Sequence, residues 1–230
     1  MNPIVRVDDV SKSYATEGGT ATVLRGVGLV IAPGEKASLV GVSGSGKSTL
    51  LSLIAGLLRP DAGTVEVDGV AISALDDRDR ARLRADRIGI ALQADNLIPF
   101  LSARENVEVA LAFSSRHKGR VARRSQRRAA SARALEHLDR FGVAHRAHHR
   151  PRHLSGGEAQ RVALAVSVAN EPALLLADEV VAQLDAETAA HVMDAVIDAP
   201  FAVLFVTHDL RLADLVERRY ELADGEVRAR

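Results

Sequence analysis

Short apolar runs mark both ends of the chain, and helical spacing fills the middle. Residues 4–7, 28–31, 64–67 and Lys36–Val40 alternate or cluster apolar side chains between Gly, Pro and Asp, which predicts strands. Residues 173–177 and Ala202–Val206 are continuous apolar runs, the pattern of strands buried on both faces of a parallel sheet. An apolar helix is expected over 50–58. From about 102 to 140 the chain is rich in Ala, Arg and Glu at helical spacing, and reads as a helical insertion between two halves of an α/β core. No period of 20–50 residues repeats, so a solenoid is excluded. The start of the chain, Met1 to Val7, reads as a first strand and not as a secretion signal.

Composition narrows the function classes. With 47% hydrophobic and 26% charged residues, a chain of 230 residues can bury a sizeable core, and a disordered or low-complexity architecture is excluded. Lys and Arg number 30 and Asp and Glu number 30, so no bulk attraction to nucleic acid is expected. Aromatic residues make up 3%, too few for base-stacking platforms. The absence of cysteine excludes disulfides, thiolate metal sites and a cysteine nucleophile. No stretch approaches the roughly 18 apolar residues of a membrane span, which predicts a cytoplasmic chain without direct membrane insertion. Residues 116–133 are densely basic. They read as a solvated helix face or as a contact for anionic lipid headgroups or an acidic loop of a membrane partner.

The chemistry begins at Gly41-Val42-Ser43-Gly44-Ser45-Gly46-Lys47-Ser48-Thr49, which fits the GxxxxGK[ST] phosphate loop between a strand and a helix. Glycines let backbone N–H groups close around phosphate oxygens, and the helix N-terminus adds partial positive charge. Lys47 supplies a full charge to the β- and γ-phosphates, and the Ser48 hydroxyl is a hard oxygen ligand for Mg²⁺. A second apolar strand ends in Asp178-Glu179, on the side where such sheets bind ligands. Asp178 is placed to hold Mg²⁺, and Glu179 to polarise a water for attack on the γ-phosphate.

Between these motifs stands Leu154-Ser155-Gly156-Gly157-Glu158-Ala159-Gln160-Arg161, which resembles the signature of ATP-binding cassette (ABC) ATPases, and the resemblance extends over essentially the whole chain. It implies a P-loop NTPase fold: an α/β core around a mixed sheet, an N-terminal antiparallel β subdomain and an inserted helical subdomain. The whole of 1–230 would be one ATP-binding domain, with the core at about 1–92 and 171–230 and the helical subdomain at about 93–170. Tyr14 resembles the aromatic that stacks on adenine, though a packing aromatic is the alternative. Gln93 resembles the Q-loop glutamine, a ligand of Mg²⁺ and a catalytic participant, with a surface amide as its alternative. Asp185, after Leu184, resembles the D-loop residue. His208, between Thr207 and Asp209, resembles the switch histidine that meets the γ-phosphate.

Ser155, Gly156 and Gly157 at a helix N-terminus form a second anion site, while ATP has one triphosphate. In the family, two cassettes face head-to-tail and each signature caps the ATP on the other's phosphate loop, an arrangement with two-fold symmetry. The resemblance therefore implies ATP and Mg²⁺ as cofactors, a homodimer of ATPase subunits, a separate membrane permease as partner, and a position at the inner face of the cell membrane. The segment after Gln93, including Asn96, Pro99, Glu105 and Asn106, is similar to the exporter class of lipoprotein-releasing, macrolide-export and cell-division ATPases. The rival is a regulatory or soluble ABC ATPase not coupled to transport.

Three departures stand out. Val180-Val181-Ala182-Gln183 replaces the usual proline-containing run, Ala165-Val166-Ser167-Val168 replaces an arginine-containing run after the signature, and Ala94 stands where an aromatic is common. The first predicts a looser link between Glu179 and the D-loop. The histidines 145, 148, 149 and 153 read as a solvated loop with no nearby carboxylate to complete a metal site.

Overall fold

The computed structural model describes residues 2–91, 97–113, 123–181, 184–208, 213 and 215–230, with backbone alone for 123–127. Strand β1 (Val5–Thr16) and β2 (Gly19–Ile31) pair antiparallel from Val5↔Ile31 to Thr16↔Gly19. Each is far longer than its predicted apolar run. Backbone pairing carries the ribbon through polar residues that one apolar face does not mark. β4 (Ala62–Val67) pairs antiparallel with β1, and β5 (Val70–Ala71) with β4.

Among the described residues the remaining strands form one mixed sheet in the order β10-β9-β3-β8-β7-β6. β3 (Lys36–Val40), β6 (Ile88–Ala91), β7 (Leu174–Asp178), β8 (Ala202–Val206) and β9 (Arg218–Ala223) run parallel, and β10 (Glu226–Ala229) closes the edge antiparallel to β9. The apolar runs are continuous because both faces are covered. Leu174 and Leu176 of β7 enter the core beneath the antiparallel sheet, and Leu175 and Ala177 enter the core beneath the helices. β8 divides the same way, with Ala202, Leu204 and Val206 on one face and Val203 and Phe205 on the other.

Helix α1 (Lys47–Ile54) begins three residues before the predicted helix and ends four before it. The stop is Gly56, at φ 64°, where an added Cβ would lie 2.4 Å from Ile72 Cδ1. Leu57 and Leu58 therefore follow the turn outside the helix, both donating their amides to Ser52 O. α2 (Asp77–Arg87) carries so few apolar residues that periodicity misses it, although Asp76 caps it by accepting from the Asp79 amide at 2.8 Å. β6, β9 and β10 were equally silent, being short or charged and held by their neighbours.

The predicted helical middle contains α3 (Ala103–Phe113) and α4 (Arg123–Arg140). They pack with α5 (Gly156–Val168) through Val107, Leu111, Leu138, Phe141, Leu164 and Val168, in one core with a face of the parallel sheet. α6 (Ala186–Ile197) adds Val192, Met193 and Val196 to that core. Within the basic segment, Arg133 donates to Ala169 O at 3.3 Å and pairs with Glu171 at 3.6 Å, a structural tether. Residues 116–122 lie outside the described ones.

Candidate functional site: a phosphate cleft at the carboxyl edge of the sheet

Register brings the predicted motifs together. Leu39 of β3 and Asp178 of β7 both stand level with Val206 of β8, on its two sides. The loop after β3, the acidic pair at the end of β7 and the turn after β8 therefore emerge side by side at one edge. They enclose a cleft of about 630 Å³. Ser43, Gly44, Gly46, Lys47, Ser48 and Thr49 line one wall, and Asp178, Glu179 and His208 line the other.

The loop is built for an anion. Gly46 caps α1 at φ 105° with no side-chain hydrogen bond to the helix, so the first amides of α1 have no side chain competing for them. A Cβ on Gly46 would lie 2.8 Å from Val23 Cγ1, so only glycine lets the loop seat against β2. Val23 lines the cleft as well, a contribution its sequence position does not signal. Lys47 arches back, donating to Gly41 O at 2.7 Å and Val42 O at 2.9 Å, which holds its ammonium group over the loop.

Ser48 Oγ and Asp178 Oδ2 lie 3.5 Å apart. Burial pushes the Asp178 carboxyl above its usual range, and the Glu179 charge adds to this against the pull of Lys47 and Ser48. A desolvated carboxylate beside a hydroxyl is a donor set that fits a hard divalent cation. Glu179 Oε1 lies 2.8 Å from His208 Nδ1, and His208 is 69% exposed at the mouth of the cleft. Gln93, Asp209, Ala182 and Gln183 lie outside the described residues.

Tyr14 is not among the residues lining the cleft. It sits on β1, 39% exposed, with the Lys12 ammonium 5.8 Å from its ring centre. Gly41 and Ser45 back the loop from behind, and a Cβ on Gly41 would lie 2.4 Å from Leu222 O.

A family model described as ABC transporter matches residues 24–182. The chain belongs to the ABC transporter family. It is an ATP-binding subunit that hydrolyses ATP to power membrane transport. It is 42% identical over 226 residues to the lipoprotein-releasing system ATP-binding protein LolD 1 of Rhodopirellula baltica, covering 96% of this chain and 94% of that one. It is 40% identical over 230 residues to LolD 2 of Caulobacter vibrioides, covering 98% and 97%. The ATP-binding cassette MJ0796, solved as a dimer in a post-hydrolysis state with ADP and Pi, superposes with a TM-score of 0.91 at 38% identity, covering 98% of this chain and 97% of that one.

The ABC signature lies apart from the cleft. Ser155 caps α5 by accepting from the Glu158 amide at 3.2 Å, and Glu158 Oε2 accepts from the Ser155 amide at 2.8 Å. Arg146 Nε donates to Glu158 Oε1 at 2.7 Å, and Arg161 reaches back to Gly157 O at 3.3 Å and Gly142 O at 3.2 Å. Ser155, Gly156 and Gly157 are thus held at a helix start, with the Ser155 hydroxyl proton still available to a ligand. Asp185 likewise caps α6, accepting from the Thr188 amide at 3.0 Å and hydroxyl at 2.7 Å.

Contrary to the expectation from the sequence, a carboxylate does stand near the histidine-rich loop. Glu158 Oε1 lies 3.7 Å from His145 Nε2, brought there by the turn Ala144–Arg146 folding against the start of α5. That carboxylate is already engaged by Ser155 and Arg146, and among the described residues no group of three or more His, Asp or Glu is placed to hold a metal ion.

The same contacts set a pH dependence. The Ser155 amide first, and Arg146 with it, lower the Glu158 carboxyl from 4.5 to about 2. The folded value lies below the unfolded one, so this stabilisation is complete above pH 4.5 and is lost as pH falls toward about 2. Replacing Glu158 by Ala should cost about 1 kcal/mol at neutral pH, as removal of a capping group does. Thermal unfolding from pH 7 downward checks this: the gap between variant and parent should narrow below pH 4.5.

Proposed function

We propose that this chain is the ATPase subunit of an exporter-class machine that extracts acylated polypeptides from a membrane, acting as a head-to-tail pair of copies beneath a separate permease. The observation that carries the paired arrangement is the presence of two anion-ready helix starts on one chain. One, at α1, lies in the cleft with Lys47, Ser48, Asp178 and Glu179. The other, at α5 with Ser155, Gly156 and Gly157, lies outside it. A triphosphate in the first site is completed by the second only when a symmetric copy supplies it. The lipoprotein-releasing names of the relatives and the dimeric cassettes among the structural neighbours support the reading.

In this reading the loop amides and Lys47 bind the β- and γ-phosphates. Tyr14 stacks on the adenine at the outer end of the nucleotide. Ser48 and Asp178, with Gln93, would hold Mg²⁺, which would supply charge neutralisation at the phosphates. Glu179 accepts the proton of the attacking water, and His208 holds that carboxylate through its 2.8 Å contact and faces the γ-phosphate. Asp185 joins the facing copy at the D-loop. Closure traps ATP between copies, and hydrolysis releases them.

Among the described residues no helix is long and apolar enough to cross a membrane, and in this reading the permease holds the chain at the inner face. A tagged copy recovered from detergent-solubilised membranes, with its partners identified by mass spectrometry, tests this. The expected partner has few transmembrane segments and a large outer domain, and it stimulates ATP turnover. Recovery of soluble partners only contradicts the transport reading.

A further inference from the structure

Glu179 is held in a backbone conformation that side chains larger than glycine rarely adopt, φ 50° at the end of β7. Two hydrogen bonds fix it there. Its amide donates to Val206 O at 2.9 Å, and its carbonyl accepts from Gln160 Nε2 at 2.7 Å. Gln160 belongs to α5, lies only 5% exposed, and leaves its own Oε1 buried with no hydrogen-bond partner among the described residues. A buried acceptor left unpaired is costly, and an apolar side chain of similar size would avoid that cost. What the polar side chain contributes here is the bond it donates.

We infer that Gln160 is a positioning residue for the hydrolytic carboxylate. It pins the Glu179 carbonyl, and with it the left-handed turn that aims the side chain toward His208 and the cleft. Gln160 sits five residues beyond Ser155 on one unbroken helix. On the dimer reading above, on which this inference rests, the helix whose start meets the nucleotide of the facing copy also sets the carboxylate of its own. Capture of ATP in one site and readiness of the base in the other are then mechanically joined through a single side chain.

The test is steady-state ATP hydrolysis by the full chain carrying Gln160→Met, which keeps the length and removes the donor. The expected result is a kcat lower by about tenfold or more, because small misplacements of a reacting group are amplified in rate. KM for ATP should stay within about threefold, since the phosphate loop is untouched. Thermal stability should change little, since the orphaned acceptor disappears while the Glu179 carbonyl loses its donor, and a large fall in kcat without a matching fall in stability is a combination that a merely structural role does not produce. Gln160→Glu gives a second reading. Its carboxyl donates only when protonated, so its kcat relative to the parent should climb as pH falls. A folded Gln160→Met with parental kcat overturns the inference, as does a pH-independent ratio for Gln160→Glu. Glu179→Gln run alongside separates the two failures. If that variant still hydrolyses ATP, the assignment of the base is wrong. If it is inactive while Gln160→Met is fully active, only the positioning role falls.

Discussion

Replacing Glu179 by Gln will lower ATP turnover by about 10³-fold or more while ATP still drives two chains together. The amide keeps the size and the hydrogen-bonding reach toward His208 Nδ1, now 2.8 Å from Oε1, but cannot take a proton from water. Nothing in the phosphate loop changes. Lys47, Ser48 and the first amides of α1 remain as they are, so nucleotide affinity should hold. Trapped ATP then keeps the paired state, which size-exclusion chromatography with light scattering reads directly. A variant that hydrolyses ATP at the parental rate removes Glu179 from the role of base.

Asp178→Asn should also cut turnover, by about 10²-fold or more, because it removes the negative charge from the oxygen pair that Asp178 forms with Ser48. Its effect on stability should run the other way. Burial, aided by the Glu179 charge, raises the Asp178 carboxyl above its ordinary value, so the ionised form is disfavoured in the folded chain. A raised folded value means that stability is highest in acid and declines as pH rises through that value. A neutral amide avoids the decline. Without nucleotide, Asp178→Asn should therefore melt above the parent at neutral pH, and the difference should vanish in acid. A variant that melts lower at neutral pH contradicts the electrostatic account of this carboxyl.

The phosphate loop and acidic pair were legible in the sequence because their residue types answer local demands. Gly46 is required by a φ of 105° and by Val23 pressing on the loop, and a motif of fixed spacing records such needs. The buried strands β7 and β8 were legible because both faces are covered and the apolar run is unbroken. The edges of the fold were not. β6, β9, β10 and α2 draw their stability from neighbours and carry little periodicity of their own. The length of the β1–β2 ribbon was hidden for the same reason, since about half of its residues are exposed.

Long-range contacts were the other blind spot. No spacing announces that Arg146 closes on Glu158, or that His145 comes within 3.7 Å of the same carboxylate. Gln160 was visible only as one letter of the signature, with its partner 19 residues further along the chain. Tyr14 takes its place from pairing as well: it stands exposed on β1 opposite Ala21 of β2, outside the residues that line the phosphate cleft. Val180 and Val181, in place of the usual proline run, are buried in the core that the helices share with one face of the parallel sheet.

The central claim is that each working site is shared by two copies, with the phosphate loop of one facing Ser155 of the other. Complementation tests it most directly. Lys47→Ala disables the loop and spares the signature, while Ser155→Arg blocks the signature and spares the loop. Each variant alone should be inactive. Mixed in equal amounts, half of the pairs carry both defects in one site and none in the other, so turnover should recover to roughly a quarter of the parental rate per chain. A mixture no more active than its separate components would contradict the shared site and place loop and signature in the service of one chain.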